Sequence, residues 1–187
     1  MFIRSERMFL RPGWPEDWSE LLSLIDDVEV VKNLARAPWP YTADDARTFA
    51  SLTQSPRYPH FFVTLPDAAG AKLIGSVGLA QGESGETEFG YWIARDQWGQ
   101  GYATEAARAA LSVARALGHR HLTAGQFVDN PASGRVLAKI GFRKTGAISQ
   151  RFSVGRGHEV ASVEHAIDLG AASDCDGGDP APAMRAA

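Results

Sequence analysis

The chain has 187 residues, 44% of them hydrophobic, and a formal net charge of -3. That length supports one substantial core, since domains run about 100–200 residues, and the mixed charge lacks the broad basic footprint that a nucleic-acid binder turns toward phosphates. A single cysteine, Cys175, excludes an internal disulfide framework, and no stretch approaches the ~18 consecutive apolar residues that read as a membrane span.

Residues 1–7 lack an apolar segment followed by a small-residue cleavage site, so an unexported, cytoplasmic chain is expected. Residues 7–11 form a short strand candidate stopped by Pro12-Gly13. Behind Pro15, the helical recurrence of Trp18, Leu21, Leu22, Ile25 and Val28 predicts one amphipathic helix. Thr42 stands three residues before Asp45, a variant capping box that opens a second helix with Ala46, Phe49 and Ala50 inward. Pro38-Trp39-Pro40-Tyr41, just before it, must be a loop.

Three β-rich runs follow, at residues 61–65, 72–79 and 87–93, separated by turn-prone residues 66–70 and 81–85. They predict an antiparallel meander. Next comes a long helix with Ala103, Ala106, Ala107, Ala110, Leu111, Ala114 and Leu117 on one stripe and Gly118 as its terminator. Its small side chains suit close packing on a sheet. Residues 121–128 read as a strand, and Asn130-Pro131 supplies the N-cap and first-turn proline of a fourth helix ending at Gly141. Residues 143–152 and 159–169 predict a closing hairpin across Gly155-Arg156-Gly157. Beyond Leu169, Ala, Gly, Asp and Pro offer too little apolar surface to offset chain entropy, so a folded domain over 1–169 and a disordered tail over 170–187 are expected.

The most informative segment is Trp98-Gly99-Gln100-Gly101-Tyr102-Ala103-Thr104, where a strand has ended and the long helix begins. Glycines let the backbone approach an anion, and the free N–H groups and dipole of a helix N-terminus supply a positive field. Thr104 adds a hydroxyl donor at that mouth. Gly-x-Gly is also what any tight turn needs for its dihedral angles, so context decides. A dinucleotide fold would need glycine where Thr104 stands and an acidic residue near the end of the 121–128 strand, which has none. The Gly-Lys-Ser/Thr of a nucleotide-triphosphate loop is absent.

Trp98-Gly99-Gln100-Gly101-Tyr102-Ala103 resembles the pyrophosphate-binding motif of the GNAT superfamily of N-acetyltransferases, Gln/Arg-x-x-Gly-x-Gly/Ala. Trp98 replaces the usual Gln or Arg, a form typical of the branch that includes ribosomal-protein N-terminal acetyltransferases. A second match is Asn130-Pro131-Ala132-Ser133-Gly134-Arg135-Val136-Leu137-Ala138-Lys139-Ile140-Gly141-Phe142, similar to that branch's Asn-x-x-Ser-x-x-Val-Leu-x-Lys-x-Gly-Phe helix. The likeness extends over most of residues 7–169, including Glu6-Arg7, Leu10-Arg11-Pro12 and Pro40-Tyr41-Thr42.

The resemblance implies a single α/β domain whose mostly antiparallel mixed sheet splays at the cofactor slot, with about four helices. It implies acetyl-CoA as acyl donor, held by the turn at residues 98–104 and by the backbone of Tyr91, Trp92 and Ile93, whose side chains could simply pack. The acceptor is a primary amine, on a protein N-terminus or on a small molecule. Glu88, on the strand leading to the turn, is the candidate general base, because an ammonium must lose a proton before it attacks. The bland alternative is a solvated strand carboxylate; Glu105 and Glu83 are substitutes.

Asn130 before Pro131 is an N-cap that needs no ligand, and capping is compatible with a cofactor contact. Many relatives place a tyrosine acid where Leu137 stands, which leaves Ser133 to protonate the departing thiolate. Arg95, Arg135 and Lys139 could meet the CoA phosphates or face water. No His or Cys has metal-ligand spacing. A CoA-binding sensor without catalysis and a nucleotide-binding protein of another fold are the rival readings, and a monomer or homodimer is expected.

Overall fold

A computed structural model describes residues 1–68, 70–82 and 85–170. In chain order these form β1 (Ile3–Arg4), β2 (Phe9–Arg11), α1 (Trp18–Ile25), α2 (Val28–Val31), α3 (Ala43–Ala50), β3 (His60–Asp67), β4 (Gly70–Gln81), β5 (Thr87–Ile93), α4 (Tyr102–Ala116), β6 (His121–Phe127), α5 (Pro131–Lys139), β7 (Arg143–Ser153) and β8 (His158–Asp168). The strands make one sheet in the order β1-β2-β3-β4-β5-β6-β8-β7.

Every neighbouring pair is antiparallel except β5 and β6. Those two run parallel and meet only at Thr87↔Leu122 and Glu88↔Thr123. Beyond that point each belongs to its own half of the sheet. β4 holds β5 from Thr87 to Ile93, and β8 holds β6 from His121 to Phe127. The sheet therefore opens into a slot whose β5 wall, from Phe89 onward, has no strand partner on that side.

Helices cover both faces. α4 and α5 pack on one face through Ala106, Ala107, Ala110, Ala114 and Leu137, all nearly inaccessible, against Ile74, Val77, Phe89 and Leu122. Alanine at these positions lets the α4 backbone lie close to the sheet. On the other face α1, α2 and α3 enclose Leu21, Ile25, Val31, Ala46 and Ala50 against Phe62, Leu73 and Trp92. Each fully buried large aliphatic or aromatic side chain contributes ~1.5–3 kcal/mol relative to exposure, so both layers hold the sheet firmly.

One ion pair is buried here: Arg11 donates from Nη1 and Nη2 to the two Asp17 carboxylate oxygens, both at 2.7 Å. Asp17 also accepts the Trp14 N–H at 2.7 Å, and the Arg11 guanidinium lies 3.9 Å from the Trp14 ring centroid.

The three-strand meander, the Thr42–Asp45 capping box, the Asn130 cap and the Gly118 and Gly141 terminators, at φ 82° and 102°, stand as expected. The predicted first helix differs. It is interrupted at Asp26 and Asp27, where the Asp27 carboxylate accepts the Glu29 N–H at 2.7 Å and caps α2 separately. An aspartate that satisfies a nearby backbone N–H competes with the helix it interrupts. That break raises the α-helix count among the described residues to five. The first strand begins at Phe9 rather than Arg7, because the Ser5 N–H bonds the Met8 carbonyl at 2.9 Å and turns the chain into β1, too short to show a period. The expected tail lies outside the described residues, apart from Gly170.

Candidate active site

The slot is the neck of a continuous cavity of about 970 Å³ that passes from the α4–α5 face to the α1–α3 face of the sheet. At its first end lies the glycine turn. Gly99 and Gly101 have φ of 77° and 83°, the left-handed region. A Cβ at Gly99 would meet nothing within 4 Å and one at Gly101 only the Arg7 Nη2 at 3.6 Å, so glycine is required by the dihedral angle rather than by crowding.

Gly101 is the N-cap of α4, whose Glu105 N–H bonds the Gly101 carbonyl at 3.1 Å. As the first residues of α4, Tyr102, Ala103 and Thr104 have N–H groups without an intrahelical partner, and all three residues border the cavity. Successive N–H groups beside left-handed glycines form a concave nest for an anion. The Trp98 indole Nε1 donates to the Ile93 carbonyl at 2.7 Å and ties this turn to the end of β5.

Along the neck, the Tyr91 hydroxyl lies 2.9 Å from the Ser133 Oγ and donates to the Ser133 carbonyl at 3.2 Å. Burial pushes the Tyr91 phenol up to about 12, against the opposing effect of the Ser133 hydrogen bond, so it is a neutral hydroxyl throughout the physiological range. Asn130 Oδ1 accepts the Ser133 N–H at 3.2 Å as the α5 cap and also borders the cavity. Gln126, buried on β6 under Gly134, has an Oε1 without a hydrogen-bond partner among the described residues.

The far lobe is built on alternate residues of β5 and β6. Glu88 receives Arg36 Nη2 on Oε2 at 2.8 Å and Arg151 Nη2 on Oε1 at 2.5 Å. Arg151 reaches it from β7 by lying over Gly125, where a Cβ would sit 3.0 Å from its Nη1. Phe49, Leu52 and Trp92 supply apolar wall, and Gly90 leaves open space. Burial lowers the His60 pKa, and burial with Asp45 raises Tyr41 to about 12. Among the described residues no cluster could hold a metal ion, and no helix is long and apolar enough to cross a membrane.

Residues 7–143 match the family model of the acetyltransferase (GNAT) domain. The chain belongs to the GNAT acetyltransferase family. It is 37% identical over 108 residues to an uncharacterized N-acetyltransferase, YoaA, of Bacillus subtilis, a match spanning 56% of this chain and 59% of that relative. The crystal structure of a GNAT-family acetyltransferase from Bacillus anthracis superposes with a TM-score of 0.76 at 25% identity, covering 90% of this chain and 98% of that one. The fold is shared by a spermidine N-acetyltransferase from Vibrio cholerae solved with CoA and spermine, at a TM-score of 0.70 and 21% identity, over 87% and 95% of the two chains.

Of the GNAT site residues expected from the sequence, Glu88, Tyr91, Trp92, Ile93, Trp98, Gly99, Gly101, Tyr102, Ala103, Thr104, Asn130 and Ser133 line this one cavity. Gln100 does not; its carbonyl accepts Arg7 Nη1 at 3.1 Å on the outer side. Glu105 is also turned away, accepting from Ser5 Oγ, the Arg7 N–H and Arg7 Nε, each at 2.8 Å. Burial pushes its carboxyl up, but these hydrogen bonds outweigh it and hold the net pKa below the ordinary value. Glu83 lies outside the described residues. Arg135 and Lys139 border the cavity, whereas Arg95 pairs with Asp27 at 3.5 Å.

Sequence reasoning missed both arginines on Glu88. Arg36 lies just before the loop at residues 38–41, and a lone cation there gives no local sign of a partner on β5. Arg151 has no local signal, since only the pairing of β7 with β8 and β8 with β6 carries it across the sheet.

Proposed function

We propose that this GNAT chain moves an acetyl group from acetyl-CoA to a primary amine by direct attack. The observation that carries the reading is the single passage joining the Gly101 turn on one face of the sheet to Glu88 on the other. The residues present suit the donor. The N–H groups of Tyr102, Ala103 and Thr104 suit a pyrophosphate, and the β5 edge from Phe89 onward, which has no strand partner among the described residues, suits an amide-bearing arm added like a strand. Bound there, the donor contributes a thioester carbonyl at the neck.

Glu88 removes the proton of the acceptor ammonium, directly or through water, once an arginine gives up one of its oxygens. Backbone N–H groups on the open edge of β5 stabilise the developing oxyanion. Ser133 returns a proton to the thiolate, with the Tyr91 hydroxyl 2.9 Å behind it as a neutral donor. This pair takes the place of the tyrosine missing at Leu137, which is buried in the core. The acceptor amine belongs to a protein N-terminus or a small molecule.

The test is a thermal-shift series on the full chain. Acetyl-CoA and CoA raise the melting temperature while NAD and ATP do not, and CoA thiol is released only when a primary amine is added. A chain that binds acetyl-CoA but releases no thiol with any amine would be a sensor; one that prefers NAD or ATP would overturn the turn assignment.

A further inference from the structure

We infer that the acceptor is a small primary amine that itself carries an anionic group, a carboxylate or a phosphate, and that Arg36 with Arg151 reads that anion. The inference rests on the transferase reading above and narrows it to a substrate class.

It starts from charge. Glu88 is one carboxylate, its side chain 14% exposed, facing two guanidiniums, one on each oxygen. Of the other acids bordering this lobe, two have cationic partners and one caps a helix. Glu29 pairs with Lys32 at 2.6 Å and Asp129 with Arg156 at 2.7 Å, while Asp45 accepts the Thr42 N–H at 2.9 Å as a helix cap. At Glu88, the carboxylate assigned to meet the amine, two guanidiniums therefore face one negative charge.

An incoming ammonium must compete with both arginines for Glu88. An acceptor with no anion leaves a displaced guanidinium facing the substrate's own positive charge. A polyamine worsens this. An amine that brings its own anion avoids this by exchange: the ammonium takes Glu88 and the displaced guanidinium takes the carboxylate or phosphate, so the substrate adds no net positive charge.

The two arginines are built differently for this exchange. Arg151 is laid across Gly125 and Ser162 and is fixed by the sheet. Arg36 comes from a loop with its side chain 70% exposed, and among the described residues the bond to Glu88 at 2.8 Å is its only side-chain hydrogen bond. The rest of its planar fork is available for bidentate recognition. Gly90, whose added Cβ would meet nothing within 4 Å, leaves room for the acceptor on the floor between them.

The test measures kcat/KM by thiol release on the full chain with an apolar α-amino acid, its carboxamide, an aminoalkyl phosphate, spermidine, and a C-terminally amidated peptide with a free amino terminus. The acid or the aminoalkyl phosphate is expected to exceed the carboxamide by roughly 10–100-fold, and which of the two leads identifies the anion. Arg36→Gln should erase that preference, chiefly through a raised KM for the anionic substrate, and Arg36→Lys should restore part of it. A merely structural Arg36 would cost both substrates equally.

Equal or better use of the carboxamide, peptide or spermidine by the wild type overturns the inference, as does a preference that survives both Arg36→Gln and Arg151→Gln. Calorimetry of the N-acetylated acid against its carboxamide, with CoA present, decides the matter without turnover, and equal affinity or no binding of either overturns it. Loss of acetyl-CoA binding itself would instead strike the transferase reading.

Discussion

Replacing Glu88 by glutamine removes one charge and almost no volume, so it separates the proposed proton transfer from everything else the residue does. The stability cost should be small. The Arg36 side chain is 70% exposed and that of Arg151 35% exposed, so solvent screens both pairs. Such pairs are worth about 0–1 kcal/mol each, and in a domain of this size 1 kcal/mol moves the melting temperature by roughly 2–4 °C. CoA affinity should hold, because Glu88 points away from the Gly101 turn.

Transfer, by contrast, should slow by roughly 10²–10⁴-fold near neutral pH, equivalent to about 3–5 kcal/mol of lost transition-state stabilisation. Part of this should return at alkaline pH, where solution hydroxide supplies the free amine that the enzyme no longer makes. The assay is thiol release at saturating acetyl-CoA across about pH 6.5–9.5, beside the melting curve and CoA affinity of the same preparation. Ser133→Ala gives the contrasting pattern, a smaller loss with no alkaline recovery, because raising the pH does not replace an acid. Normal turnover of Glu88→Gln across the range would refute the base assignment and leave the fold and the donor site untouched.

Three further outcomes follow from the geometry. Gly101→Ala forces a side chain into φ 83°, at a cost of ~1–2 kcal/mol, and should weaken CoA binding about tenfold by calorimetry; Gly90→Ala, in extended backbone, should not. Asp17→Ala strands a buried guanidinium and should cost about 3–5 kcal/mol, a fall in melting temperature of roughly 6–20 °C, whereas a fall under about 3 °C would show that water reaches Arg11.

The pH dependence of stability has two limbs. His60, its pKa lowered by burial, is taken up into the fold neutral, so the unfolded chain gains the proton first and stability falls as pH drops from about 6.5; His60→Gln should flatten this limb. Tyr41 and Tyr91, pushed to about 12, put the alkaline loss between about pH 10 and 12, where the unfolded phenols ionise first. Melting temperature against pH checks both.

The parts of this fold legible in the sequence are those governed by local rules. Alternation set the β3–β5 meander, the alanine stripe set α4, and caps at Thr42 and Asn130 set the starts of α3 and α5. The glycine turn was legible because its dihedral demand is local to Gly99 and Gly101. What escaped was set by distant partners. The order β6-β8-β7 places the later strand of the hairpin inside, and its cause is the polarity of β7, whose residues are nearly all exposed and belong at an edge, while β8 buries Val160, Ser162 and His165. The clamp on Glu88 depends on that order, because only a β7 two strands away lets Arg151 lie over Ser162 and Gly125. The Tyr91–Ser133 contact needs α5 folded back over the slot, which no spacing between residues 91 and 133 encodes.

The pleat of β5 has a consequence for how such a protein can change. Glu88, Gly90 and Trp92 point into one lobe of the cavity, and Phe89, Tyr91 and Ile93 into the opposite layer, where Phe89 and Ile93 pack under α4 and Tyr91 meets Ser133. Parity along this strand therefore separates the two lobes. Inserting or deleting one residue between Thr87 and Ile93 would exchange every side chain between them at once, turning a carboxylate into the apolar layer and a phenol out of it. Drift in acceptor preference has to enter elsewhere, through point substitutions on this strand or through loops such as residues 35–38, which border one lobe and can lengthen or change charge without touching the other.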